Sequence, residues 1–239
     1  MGDTGICVAW MTAGWVDGRF SSSLFDTMLY DQIYGGGQIW SKIYAESGPR
    51  IADTRCGVVK EFLHNRNIGH SLTGRMPEHL VMIDADMAWE ADAIHRLVTR
   101  AVEEGADVLG GLCFTGSRTE QVPTIYRLEE DSEGHAVPRN IVDYPENAVV
   151  KVGATGAAFM AMSRTCLQKM GEQFRDHAYP WFVEGIRGSV QVGEDVGFCL
   201  RAQALGFKVA VDTSIKVGHW KRYCFNEDTF KQSREHRYE

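Results

Sequence analysis

What the chain lacks narrows the field first. Its six cysteines, Cys7, Cys56, Cys113, Cys166, Cys199 and Cys224, stand far apart and include no C-x-x-C pair. A zinc knot or disulfide framework needs closer, patterned spacing. Reduced thiols serving as small apolar fillers, and a cytoplasmic setting, are expected instead. No apolar run approaches the ~20 residues needed to cross a bilayer. The opening MGDTGICVAWMTAG has no basic n-region and carries Asp3, so no secretory signal is expected. Position 6 is Ile rather than Ser or Thr, which argues against myristoylation. Positive charge is also short: 25 Lys and Arg face 32 Asp and Glu, a net charge of −7, which argues against a dedicated nucleic-acid binder. There is no internal repeat, low-complexity run or linker.

What is present is an ordinary globular composition, 44% hydrophobic and 24% charged over 239 residues, enough for one large core. GICVAWM (5–11) reads as a buried strand. Ser21-Ser22-Ser23 is placed to cap a helix with Leu24, Phe25, Met28, Leu29 and Ile33 on its inner face, stopped by Gly35-Gly36-Gly37. A second helix is expected over 53–63, a strand over 80–84, a helix near 92–104 and a strand over 106–114. That alternation means an α/β fold with a mostly parallel central sheet and helices on both faces. After residue 114 the chain becomes polar and turn-rich. Strands are then expected at VVKVG, AAFMAM and KVAVDTS, and helices at SRTCLQKM and GEDVGFCLRAQALGF. The pattern reads as one domain: 1–114 as a nucleotide-binding half, 115–225 as a smaller, more antiparallel acceptor and metal half, and 226–239 as a polar tail.

Three features recur at element ends in chain order. Asp84 and Asp86 form D-A-D after the apolar run Leu80-Val81-Met82-Ile83, where open α/β sheets place ligands. Glu194 and Asp195 open a helix, and His219 follows the last core strand in G-H-W. Two carboxylates this close repel unless a cation lies between them. Carboxylate oxygens with one imidazole suit manganese or magnesium, and such an ion can bridge the phosphates of a nucleotide diphosphate.

With these residues in view, the chain resembles glycosyltransferases of the GT-A (Rossmann-like) fold. It is closest in pattern to inverting family-2-like enzymes and to short stand-alone forms from bacteriophages. The resemblance runs from about residue 5 to 225 through VAWMT, DTRCGVVKEFL, HLVMIDADM, ADVLGGLCF, VGATGAAFMAM, VGEDVGFCLRAQALGFKVAVD and VGHW. It implies a nucleotide-diphosphate sugar donor, UDP-sugar by preference, and a divalent metal. It implies that Thr12 meets the nucleotide base and that Arg55 faces the donor nucleotide or its phosphates, with Cys56 standing where Asn is common. Asp84 would contact the ribose or reach the metal through water, and Asp86 and His219 would ligate the metal. Asp195 would be the catalytic base with Glu194 its companion, Gly153 and Gly156 would let backbone approach the sugar, and Trp181 would stack on the acceptor. On that reading the base needs no exotic pKa shift, because a carboxylate is already ionised near neutral pH.

The acceptor is open: a glycan, lipid or protein hydroxyl, or a hydroxymethylated pyrimidine in phage DNA. The second option rests on a net-basic stretch, Arg50 to Arg75, and a tail mixing Lys216, Trp220, Lys221, Arg222, Tyr223, Phe225, Phe230, Lys231, Arg234 and Arg237. A D-x-D-x-T phosphohydrolase would need Thr where Ala88 stands. A nucleotidyltransferase would need a basic glycine-rich loop where TAGWVDGRF carries only Arg19. A non-catalytic nucleotide-sugar or nucleic-acid binding module has no use for a base.

Overall fold

The computed structural model describes residues 4–71, 73–117, 120–187, 190–221 and 224–235. The strands of the first half are β1 (Ile6–Thr12), β2 (Ile39–Glu46), β3 (His79–Asp84), β4 (Met87–Ala88), β5 (Val108–Leu112), β6 (Phe114–Gly116), β7 (Gln121–Pro123), β8 (Ile125–Glu130) and β9 (Ala136–Asn140). Those of the second are β10 (Val149–Lys151), β11 (Ala154–Thr155), β12 (Phe159–Ser163), β13 (Gly185–Arg187), β14 (Val190–Val192), β15 (Val209–Lys216), β16 (Gly218–Trp220) and β17 (Cys224–Phe225). The helices are α1 (Gly18–Tyr30), α2 (Ile51–His64), α3 (Ala93–Glu103), α4 (Arg164–Gln173), α5 (Glu194–Ala204) and α6 (Glu227–Glu235).

Seven strands form the central sheet in the order β10-β15-β5-β12-β3-β1-β2. β1 runs parallel to β2 and β3, and β5 runs parallel to β15. β12 lies antiparallel between β3 and β5. The two halves of the chain therefore share one sheet. Strand residues alternate between its faces, as a period of two requires. Cys7, Ala9, Met11, Leu80 and Met82 pack on one side with α2, α4 and α5. Ile6, Val8, Val81 and Ile83 pack on the other with α1 and α3. No described helix is long and apolar enough to cross a membrane. Five cysteines are buried, Cys224 is half-buried, and all six are free thiols.

Several expectations are corrected. α1 starts at Gly18, capped by Asp17, whose carboxylate accepts the Arg19 N–H at 2.9 Å. Its inward face is Phe20, Ser23 and Thr27, while Phe25 and Ile33 are 64% and 65% exposed and Met28 and Leu29 also face out. The reason is Trp89, whose backbone N–H donates to Ser23 Oγ at 3.0 Å and whose indole donates to Thr27 Oγ1 at 2.9 Å. Val102, expected inside α3, is exposed. β2 and the β13–β14 hairpin were not foreseen, and the polar tail carries α6, whose Phe230 is buried against Phe114.

Candidate active site

The apolar run of β3 ends at Asp84, and two backbone bonds fix the turn that follows. Asp84 N–H donates to Ala158 O at 3.0 Å and Ala85 N–H to Met11 O at 3.2 Å. β4 then pairs antiparallel with β16, setting His219 opposite Met87, and Trp220 N–H donates to Asp86 O at 2.7 Å. This short ladder brings G-H-W against D-A-D.

Asp86 and His219 face each other, Oδ2 to Nε2 at 3.5 Å, each side chain only 13% exposed. The other ring nitrogen, Nδ1, lies 3.1 Å from Phe114 O. A carbonyl only accepts, so Nδ1 carries the proton directed at Phe114 O. Lys221 Nζ lies 2.5 Å from Asp86 Oδ2. Burial pushes the Asp86 carboxyl up, but His219 and Lys221 outweigh it and hold it below the usual carboxylate range. Asp86 Oδ1 and His219 Nε2 are buried without a hydrogen-bond partner. Buried polar atoms are rarely left so, and an oxygen and an imidazole nitrogen side by side fit a hard divalent cation. Among the described residues no group of three or more His, Cys, Asp or Glu is gathered for a metal. Such an ion would thus take two protein ligands and the rest from water or substrate.

Arg55, on α2, is the hub of the other half. Its guanidinium is 5% exposed, with Nη2 donating to Asp84 Oδ1 at 3.0 Å and Nη1 to Ala157 O at 2.9 Å. Its Nε lies 3.1 Å from Glu194 Oε1, close enough for an ion pair although not aligned as a hydrogen bond. Asp195 follows Glu194 in the first turn of α5, and its Oδ1 accepts the Val196 N–H at 2.7 Å. Burial pushes the Asp195 carboxyl above its usual range, against the pull of the Val196 N–H and Arg55, with Asp84 adding to the rise. Glu194 is pushed up in the same way, by burial first, with Arg55 opposing and Asp195 adding.

A cavity of about 280 Å³ adjoins this centre, lined by residues that include Thr12, Trp15, Asp84, Asp86 and Lys221. Asp84 thus belongs both to the cavity, which Asp86 also lines, and to the Arg55 cluster, where ion pairs run Asp84–Arg55–Glu194. Thr12 lies at the cavity wall, but its hydroxyl donates to Trp15 O. Arg55 is paired with two carboxylates of the chain itself. Gly153 and Gly156 sit against the protein itself: a Cβ on Gly153 would meet Leu128 Cγ at 2.6 Å, and one on Gly156 would meet Thr124 at 3.0 Å. Trp181 is 6% exposed with its indole donating to Leu167 O at 2.7 Å, so it is a core residue and not an acceptor platform. Sequence reasoning gave Lys221 no role here, although a strand period of two puts it on the face of His219. It also missed Arg19, whose guanidinium stacks 3.4 Å from the centroid of the Trp220 ring.

The basic stretches are largely neutralised internally. Lys216 pairs with Glu227, Lys231 with Glu146, Arg234 with Asp143, and Arg75 with Glu78. Phe225 and Phe230 are buried. Arg222, Tyr223 and Arg237 lie outside the described residues.

The sequence profile of the family described as "Glycosyltransferase like family 2" matches residues 57–235, a span holding Asp84, Asp86, Glu194, Asp195 and His219. None of the curated proteins matches the sequence. Among solved structures the chain is similar to A197 from STIV, at 18% identity and a TM-score of 0.57, covering 91% of this chain and 86% of that one. It is also similar to GalNAc-T7, solved with UDP, GalNAc and Mn2+, at 11% identity and a TM-score of 0.55. That match covers 90% of this chain and 43% of the other, so the chain spans less than half the length of that protein. Identities this low speak to the fold alone.

Proposed function

This chain belongs to the glycosyltransferase-like family 2 and has a GT-A-like fold; from that premise we propose that it moves a sugar from a nucleoside diphosphate sugar to an acceptor hydroxyl by a single, inverting displacement. The observation that carries this reading is Arg55, which ties Asp84, lining one cavity with the cation-ready Asp86, to Glu194 beside Asp195 at the start of α5.

Asp86 and His219 would hold manganese or magnesium. When bound, that ion neutralises the charge that gathers on a departing diphosphate. The chain's own residues do the rest. The 280 Å³ cavity between Thr12, Trp15 and Asp84 takes the nucleotide. Arg55 fixes Asp84 on the donor side and Glu194 on the acceptor side, so the two face each other at a set spacing. Asp195 accepts the proton of the acceptor hydroxyl as that oxygen attacks the anomeric carbon from the face opposite the nucleotide. Its raised carboxyl makes it a stronger base than an ordinary aspartate. The acceptor reading best supported is a glycan, lipid or protein hydroxyl. Among the described residues, the tail's Lys216, Lys231 and Arg234 are paired internally and Phe225 and Phe230 are buried, which favours these acceptors over a DNA backbone or a flipped pyrimidine.

The test is incubation with a panel of nucleotide sugars and Mn2+, scored for released nucleoside diphosphate, with the anomeric configuration of the product read by NMR. Release with inversion is expected. Retention of configuration, or no release from any donor, would refute the proposal.

A further inference from the structure

We propose that Lys221 is a placeholder cation that hinders the free donor site from taking a divalent ion until a diphosphate arrives. The inference rests on the donor-site reading above and deepens it. The Lys221 ammonium lies 2.5 Å from Asp86 Oδ2 on a side chain that is 54% exposed, while the carboxylate it meets is only 13% exposed. The same Oδ2 is the oxygen that faces His219 Nε2 at 3.5 Å. An ion seated between Asp86 and His219 therefore stands within a few ångströms of the ammonium, and like charges at that range repel.

Nothing else in the described site compensates. No third His, Cys, Asp or Glu joins Asp86 and His219 to strengthen the ion's hold. Hard cations bound by so few protein groups draw their remaining ligands from substrate phosphates and water. A diphosphate entering the cavity lined by Thr12, Asp84, Asp86 and Lys221 brings new oxygens within the ammonium's reach. A lysine's point charge on a flexible four-carbon stem can change partner without rebuilding a planar fork. The ammonium then leaves Asp86 to the ion, so ion and diphosphate each raise the other's affinity.

The experiment titrates the whole protein with Mn2+ alone, reading free Mn2+ by its paramagnetic resonance signal, and repeats the titration with UDP present. Lys221→Met is expected to bind Mn2+ alone roughly tenfold tighter than wild type, the scale of like-charge repulsion at ~4 Å in a solvated site. UDP should then raise Mn2+ affinity much less in Lys221→Met than in wild type, and Lys221→Arg, which keeps the charge, should bind Mn2+ alone as weakly as wild type. If Lys221→Met binds Mn2+ alone no more tightly than wild type, while wild type binds it in the presence of UDP, the placeholder role is wrong and the donor site stands. If wild type binds no Mn2+ even with UDP, the donor-site reading fails, and this inference with it.

Discussion

Asp195 carries the chemical argument at the scale of single residues. Asp195→Asn keeps its size and removes the base, so kcat should fall by about 10²–10⁴-fold, the usual worth of a positioned proton acceptor. Burial raises this carboxyl, so the acid limb of the rate profile should titrate above the ~3.9 of an ordinary aspartate. The rate is lost as pH falls through that raised value, because the base is then protonated. Stability moves the other way. A carboxyl raised by folding binds its proton more tightly in the native state, so its ionised form costs stability above the folded pKa, and the cost lifts as pH falls. Arg55 opposes both rises, and a limb at or below the ordinary value would contradict the burial argument. Arg55→Met leaves Asp84 and Glu194 without their shared cation, and chemical denaturation should show a loss of about 3 kcal/mol, as for other broken buried pairs. D-A-D, E-D and G-H could be picked out of the sequence because each ends or opens a regular element. The role of Arg55 could not be, since its partners Asp84, Ala157 and Glu194 converge only when β3, α5 and the turn before β12 are packed.

Periodicity served α2 and α3 well and misled for α1, which shows where pattern reading fails at the element scale. In α1 the apolar residues Leu24, Phe25, Met28 and Leu29 suggested the inner face; Leu24 packs against the core, but the hydroxyls of Ser23 and Thr27 point inward to satisfy Trp89 while the others face out. A burial rule that counts only apolar residues misses a partner with two N–H groups to place. The double variant Phe25→Ser, Leu29→Ser should therefore change stability by less than about 0.5 kcal/mol per site in a urea melt, as exposed positions do. A loss of several kcal/mol would restore the expected inner face. α6 errs in the opposite sense: its polar sequence hides Phe230, which sits 5.1 Å from the Phe114 ring. Phe114 also supplies the carbonyl that orients His219. Phe230→Ala should cost about 3–5 kcal/mol, the price of an emptied aromatic site. It should also weaken Mn2+ binding through that carbonyl.

At the scale of the whole molecule, one sheet unites segments that the sequence suggested were separate halves. β12, from the second half, lies between β3 and β5 of the first, and β16 closes onto β4. These crossings depend on long-range pairing, which local patterns do not encode, and they accompany the convergence of Asp84 and Glu194 on Arg55. The central claim is that Asp86 and Asp195 serve the same reaction in different ways. The most direct measurement compares Mn2+-dependent UDP binding by calorimetry with turnover in Asp86→Ala and Asp195→Asn. The account predicts that Asp86→Ala loses binding and turnover together, while Asp195→Asn binds UDP as wild type does and turns over almost nothing. Full turnover in Asp195→Asn, or Mn2+-dependent UDP binding undiminished in Asp86→Ala, would contradict it.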